Sequence, residues 1–158
     1  LTSADNSHTS IGTAAEDGTY RTQPAVPQGD YKLYIALKGH ALEVFQITLT
    51  GSTNCNVALV PGGNLSLTVT KQGKPVSGKT ASIKSAEGAV LPRISGAGDP
   101  RSYYYCDFGL TVEATDENGH TLIRAIKPGK YSVSVSGENP STPAEVKPME
   151  TAEIILEL

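Results

Sequence analysis

Side chains that commonly perform chemistry are few in this chain, and they do not occur at the spacings of known catalytic or metal-binding motifs. The three histidines, His8, His40 and His120, have no second histidine or cysteine at metal-ligand spacing. We interpret them as solvated residues of loops and turns. The sequence also contains no nucleophile elbow, no zinc-protease motif and no phosphate-binding glycine loop. We therefore expect no catalytic, cofactor-binding or metal-binding residues, and a protein that is not an enzyme.

One acidic stretch is a candidate for binding a cation. Asp116, Glu117 and Asn118 have side-chain oxygens of the kind that hold Ca²⁺. The Asn-Gly pair at 118–119 is also typical of a tight turn, because such turns require positive φ angles. We favour the turn.

An aromatic run is the most unusual feature of the composition. It consists of Tyr103, Tyr104, Tyr105 and Phe108. In one interpretation these rings stack on a sugar or anchor a protein partner, since tyrosine combines an apolar face with a hydrogen-bonding tip. In the other, which we prefer, alternate residues of a strand face the core and the rest cover a domain junction.

The two cysteines, Cys55 and Cys106, have three possible states. They can bond to each other, bond to another chain, or stay reduced. We expect the intrachain disulfide, which in the chain-entropy model would stabilise the fold by roughly 4 kcal/mol. Cysteines among Ser/Thr-rich segments are typical of extracellular proteins.

The composition is that of a turn-rich β protein. The 158 residues include 16 Gly, 10 Pro, one Met and no Trp, and no window has helical apolar periodicity. The net charge is −3 and the basic residues are scattered, so we expect no nucleic-acid partner. No run of 18 apolar residues predicts a membrane span, and the start at Leu1 suggests a mature product or a fragment.

Alternating apolar residues predict strands at 121–126 and 130–136, which we expect to form a hairpin across the Pro128-Gly129 turn. A weaker copy of this pattern lies at 16–37. Gly29 and Tyr31 precede Gly129 and Tyr131 by 100 positions (129 − 29 = 100). Repetition over about one domain length predicts two copies of one β module.

The alignment of the two copies predicts that the first is incomplete. The segment beginning at Leu1 resembles that beginning at Ile83, so the first copy lacks a first strand and part of a second. We expect an incomplete module at 1–60, a linker at 61–63, and a complete module of about seven strands at 64–158 with an insertion at 89–109. The other expected strands are 44–50, 54–60, 64–70, 80–85, 110–115 and 152–158, with a turn at 71–78 and a Pro-rich loop at 138–148.

Three motifs of the second module carry a family resemblance. They are Gly73-Lys-Pro-Val-Ser-Gly78, Thr115-Asp-Glu-Asn-Gly119 and Ile126-Lys-Pro-Gly-Lys-Tyr-Ser-Val133. They resemble the carboxypeptidase regulatory-like family of transthyretin-like β-sandwiches. The resemblance implies an all-β chain of tandem immunoglobulin-like or transthyretin-like sandwiches, located outside the cell and generally without catalysis of its own.

Collagen-adhesin B-type pilin modules are a neighbouring resemblance. In those modules an early-strand lysine forms an isopeptide bond with an Asn or Asp of the last strand, assisted by a carboxylate. Lys71 lies near the corresponding position, but the segment 152–158 has no Asn or Asp and the strand after Pro128-Gly129 has no Glu. We therefore expect no isopeptide bond.

An incomplete sandwich leaves unpaired backbone groups and an open core. Three remedies are available: an upstream part of the polypeptide, the 89–109 insertion, or a strand or helix from another copy or a companion subunit. We favour the last, and expect a non-catalytic, extracellular structural subunit of a cell-surface filament or pilus-like appendage. The alternative is an accessory module that binds a glycan or a protein through the Tyr103–Phe108 run.

Overall fold

The computed structural model describes residues 1–4, 12, 14–21, 26–52, 54–88, 114–136, 138 and 140–158. These residues form strands and turns and contain no helix, so the expected all-β class is confirmed. With no helix among the described residues, none is available there to cross a membrane. The strands are β1 (Thr2–Ser3), β2 (Gly29–Ile35), β3 (Glu43–Leu49), β4 (Gly63–Lys71), β5 (Lys74–Pro75), β6 (Ala81–Ser85), β7 (His120–Ile126), β8 (Gly129–Val135), β9 (Thr142–Val146) and β10 (Thr151–Glu157).

The chain divides into two compact units. The first comprises residues 1–35 and 43–58, and the second comprises residues 36–42 and 59–158. Residues 36–42, which we expected in the first module, are grouped with the second unit. Gly62 and Gly63 are buried there, so the segment expected as a linker is part of the second unit's packing.

The second unit is a two-sheet β-sandwich. In one sheet β4 lies between β10, which is parallel to it, and the antiparallel β7 and β5. The other sheet has the order β6-β8-β9 and is antiparallel. Alternation along β4 places Leu65, Leu67 and Val69 in the core, where each has an exposure of 0%. The buried side chains of both sheets form one hydrophobic core.

The hairpin expected at 121–136 is wrong. The strands β7 and β8 exist close to the expected bounds, but β7 pairs with β4 while β8 pairs with β6 and β9. The Pro128-Gly129 turn therefore connects the two sheets. Alternation shows which face of a strand is buried, but it does not show which strand lies alongside.

The Pro-rich loop expected at 138–148 is also wrong, because it contains β9. Ala144 and Val146 alternate into the core with exposures of 6% and 2%. Pro143 pairs with Ser132 of β8. The strand lies at the edge of its sheet, where the missing N–H of a proline is tolerated.

Candidate functional site

The three-stranded sheet of the first unit is the candidate site. Its order is β1-β2-β3, with antiparallel pairing throughout. Thr48 Oγ1 donates a 2.7 Å hydrogen bond to Asp30 on the polar face. The opposite, apolar face is defined by Tyr31, Leu33, Ile35, Phe45, Ile47 and Leu49. We call this set the open face.

The sheet of the open face repeats the β6-β8-β9 sheet of the second unit in its pairing. Ser3 pairs with Tyr31 in the first unit, and Ser85 pairs with Tyr131 in the second. This is the correspondence that the alignment of residues 1–3 with 83–85 predicts. The match continues into the third strand, where Gly29 pairs with Leu49 and Gly129 pairs with Val146.

Each of the two sheets has a tyrosine near the start of its middle strand. Tyr31 Oη donates to Pro27 O at 2.9 Å, and Tyr131 Oη donates to Lys127 O at 2.6 Å. Both hydrogen bonds span four residues and tie the strand to the turn before it. The two copies therefore share a side-chain device as well as strand pairing.

Replacing Tyr131 with Phe should reduce the alkaline sensitivity of the second unit. Burial, and then the negative charge of Glu87, raise the pKa of Tyr131 above its ordinary value of 10.0. Below about pH 10 the Tyr131 phenol is neutral in both the folded and the unfolded chain. As the pH rises further it ionises first in the unfolded chain, which lowers the free energy of unfolding. Urea unfolding between about pH 8 and 11 measures this loss.

The control for that experiment is Tyr20→Phe, since Tyr20 is 38% exposed. We expect the wild type and Tyr20→Phe to lose stability more steeply than Tyr131→Phe above about pH 10. Identical slopes for all three proteins would contradict the assignment.

A turn is also repeated between the units. In the first unit Ala15 N–H donates to Thr19 O at 2.8 Å and Gly18 N–H donates to Ala15 O at 2.9 Å. In the second unit the turn at 116–120 makes the same two hydrogen bonds, at 2.9 and 3.0 Å. Three separate features, which are strand pairing, the tyrosine and this turn, thus follow the same repeat.

Burial is where the two copies differ. In the second unit most residues that correspond to the open face are almost inaccessible: Val133, Val135, Ala144 and Val146 have exposures between 0% and 6%. The exception is Thr142, the counterpart of Phe45, which is half-buried. In the first unit Tyr31 is buried, with an exposure of 4%, and the other five residues of the open face are only half-buried. The same sheet is therefore covered in one unit and partly uncovered in the other.

The strand expected at 54–60 is wrong, and its absence has a physical cause. Counting from the shared pairing, Asn54 corresponds to Thr151, the first residue of β10. In the second unit β10 is held by parallel pairing with β4 along its whole length. The described residues of the first unit include no counterpart of β4, and residues 54–58 are in no strand. A segment without a pairing partner does not form a strand.

Comparison with known proteins gives structural similarities only. No protein family and no curated protein matches the sequence. The chain is similar to GBS52, the minor pilin of Streptococcus agalactiae, with 19% identity, a TM-score of 0.44 and coverage of 86% of this chain and 62% of that one. It is similar to the shaft pilin spaA of Lactobacillus rhamnosus GG, with 10% identity, a TM-score of 0.41 and coverage of 92% and 68%. It is also similar to the D312A form of BcpA, the major pilin subunit of Bacillus cereus, with 13% identity, a TM-score of 0.41 and coverage of 61% of this chain and 28% of that one. The chain thus spans between about a quarter and two thirds of these structures.

Several predicted site residues lie outside the described part of the chain. They are Tyr103, Tyr104, Tyr105, Cys106 and Phe108, together with His8 and the 89–109 insertion. Cys55 is exposed. The Cys55–Cys106 disulfide and the aromatic binding surface both stay predictions.

His120 is not the solvated turn residue that we expected. It begins β7 and is half-buried, with Nε2 3.1 Å from Ser66 Oγ. Ser66 Oγ also donates a 3.4 Å hydrogen bond to Glu153 Oε2. This polar row joins β7, β4 and β10 on the outer side of their sheet. Ser66 is 54 positions from His120 and 87 positions from Glu153, so the sequence alone did not show that the three side chains meet.

The remaining candidates for chemistry have structural roles or exposed positions. Asp116 Oδ1 accepts backbone N–H groups from Asn118 and His120 at 2.9 and 2.8 Å, which is turn geometry. His40 lies half-buried in the 36–42 loop, and Lys71 is exposed at the end of β4. Among the described residues no three His, Cys, Asp or Glu side chains form a metal-binding group.

Proposed function

We propose that this chain is a non-catalytic, extracellular structural subunit of a cell-surface filament or pilus-like appendage, and that a strand from another subunit completes its first unit. The observation that carries the proposal is the open face. Its sheet has a nearly completely buried counterpart within the same chain. The second unit therefore indicates what the first unit requires: a strand at the position of β4.

Completing the first unit would bury the apolar surface that the open face still exposes. Full burial of a large aliphatic or aromatic side chain contributes about 1.5 to 3 kcal/mol. Most of the surface of the five half-buried residues of the open face is already covered, so burying the remainder would together contribute on the order of 2 to 3 kcal/mol. An added strand would also pair its backbone with residues 54–58. These terms oppose the loss of translational and rotational freedom on association.

Completion by another subunit leads to a filament. The acceptor is the open face of one subunit, and the donor is the strand that another subunit supplies. These are different surfaces, so the contact is heterologous and each added subunit leaves a new acceptor or donor free. An acceptor on one chain and a donor on the next would then produce head-to-tail growth. A donor from an upstream part of the same polypeptide, or from the 89–109 insertion, would instead give a monomer.

Assembly of the purified chain tests this proposal. Light scattering after size-exclusion chromatography, over a range of concentrations, should show species larger than a monomer, and electron microscopy should show filaments. A cooperative, stable monomer that never polymerises would count heavily against the proposal.

A matched pair of neighbouring residues sharpens the same experiment. Ile47 belongs to the open face, where its counterpart Ala144 is buried, and Gln46 is exposed on the opposite face of β3. Ile47→Lys should weaken assembly at least about tenfold, because burying an unpaired charge opposes docking. Gln46→Lys should leave assembly near the wild-type level. Equal effects of the two substitutions would show that the open face is not the docking surface.

A further inference from the structure

Two equivalent glycines have very different surroundings. Gly119 (φ +71°) and Gly18 (φ +80°) occupy the same place in the repeated turn, as its two hydrogen bonds show. A Cβ atom added to Gly119 would lie 2.4 Å from Val69 O and 3.0 Å from Val76 N. A Cβ atom added to Gly18 would meet no atom of the described residues within 4 Å. Within the described part of the chain, the first unit therefore has open space where the second has a neighbouring backbone.

That neighbouring backbone is the β4–turn–β5 segment of the second unit. Gly119 O accepts the N–H of Val69 at 2.8 Å, and Val76 N–H donates to Val69 O at 3.0 Å. The turn between β4 and β5 is formed by Gln72 and Gly73, both with positive φ. The glycine thus allows a strand–turn–strand segment to cross the turn at hydrogen-bonding distance.

We propose that the donor is a strand–turn–strand segment rather than a single strand, and that it docks directly against Gly18. This inference rests on the proposed function, since it describes the partner of the same site. The donor strand lies parallel to residues 54–58, as β4 lies parallel to β10. Its returning segment lies against the 15–19 turn, as Val76 lies against Gly119.

The second unit also indicates the sequence character of the donor. Three alternate apolar residues face the core, as Leu65, Leu67 and Val69 do in β4. A glycine precedes them, because a Cβ atom at Gly63 would lie 2.2 Å from Lys147 O and 2.6 Å from Val146 Cγ1. The partner is therefore a segment of about 20 residues with the pattern Gly-x-apolar-x-apolar-x-apolar followed by a tight turn.

The probe for this proposal is a synthetic peptide with the sequence of residues 63–82, added to the full chain. Binding is measured by fluorescence anisotropy of a labelled peptide and by native mass spectrometry. Gly18→Asn keeps a residue that tolerates positive φ but adds a Cβ atom in the path of the donor. Gly88→Asn is the matched control, since Gly88 has a φ of +81° and, like Gly18, no atom of the described residues within 4 Å of an added Cβ.

We expect the wild type and Gly88→Asn to bind one peptide per chain with equal affinity, and Gly18→Asn to bind at least about tenfold more weakly. Thermal unfolding of the two variants without peptide should show a similar small loss of stability, because each places Asn at a φ near +80° and neither added Cβ atom meets a described neighbour. A peptide that is N-methylated at the position of Val69 tests the same contact without changing the protein. It should also bind the wild type at least about tenfold more weakly, because it lacks the N–H that would donate to Gly18.

The outcomes separate the two levels of the account. Binding that is indifferent both to Gly18→Asn and to N-methylation would overturn the docking proposal and leave the proposed function intact. Failure of the wild-type chain to bind the peptide, together with failure to assemble, would overturn both.

Discussion

A chain that carries a second copy of residues 63–82 directly before Leu1 should have a first unit that is more stable by about 2 to 3 kcal/mol and should no longer assemble. Leu1 corresponds to Ile83 in the strand pairing, so the inserted copy ends where the first unit begins. It supplies in one chain the segment that we assign to a donor. The open face is then covered and the acceptor is occupied.

The measurement is calorimetric unfolding together with light scattering. In the wild type we expect two transitions, since the chain divides into two compact units, and the first-unit transition should move upward in the extended chain. The control is the same insertion with Ser at the copied positions of Leu65, Leu67 and Val69, which has no apolar residues for the open face. An unchanged first transition in the extended chain, or an equal gain in the Ser control, would contradict the account.

Leu67→Ala should lower the free energy of unfolding of the second unit by about 3 to 4 kcal/mol, whereas Leu33→Ala should lower that of the first unit by about 1 to 2 kcal/mol. Leu67 is fully buried at the centre of β4 and pairs with both Ile154 and Thr121. Leu33 is at the centre of β2 but is only half-buried. Both substitutions remove the same atoms, so the difference between their effects on the free energy of unfolding measures how completely each sheet is covered.

Urea unfolding of each variant, followed separately for the two transitions, gives both values. In the assembled state the cost of Leu33→Ala should rise toward that of Leu67→Ala, because the donor then covers the open face. Equal costs in the unassembled chain would show that the first unit already has a complete core.

Alternation was sufficient to predict most strands of the second unit. The apolar residues of β4 and β10 recur with period two, and the structure places Leu65, Leu67 and Leu156 in one core. Pairing was harder to predict. The strands on either side of Pro128-Gly129 read as a hairpin, yet each joins a different sheet, because the choice of neighbour depends on residues distant in sequence. The strand β9 was missed since Pro143 suggested a loop, and only its edge position makes the proline acceptable.

The candidate site was predictable only in outline. The spacing of Gly29 and Tyr31 from Gly129 and Tyr131 suggested the repeat, and the alignment of Leu1 with Ile83 placed Ser3 and Ser85 at equivalent positions. The pairing of Ser3 with Tyr31 was not predicted. The sequence did not show that residues 54–58 would be in no strand, because their alternation is as regular as that of β10. Nor did it distinguish Gly18 from Gly119, whose local turns are the same and whose neighbours alone differ.

Amide hydrogen exchange of the full chain, with and without the 63–82 peptide, measures whether the open face of the first unit lacks a covering strand. We expect strong protection in β8 and β9, weak protection in β2 and β3, and a rise in protection of β2 and β3 when the peptide is bound. Equal protection of the two sheets in the free chain, with no change on adding the peptide, would contradict this expectation.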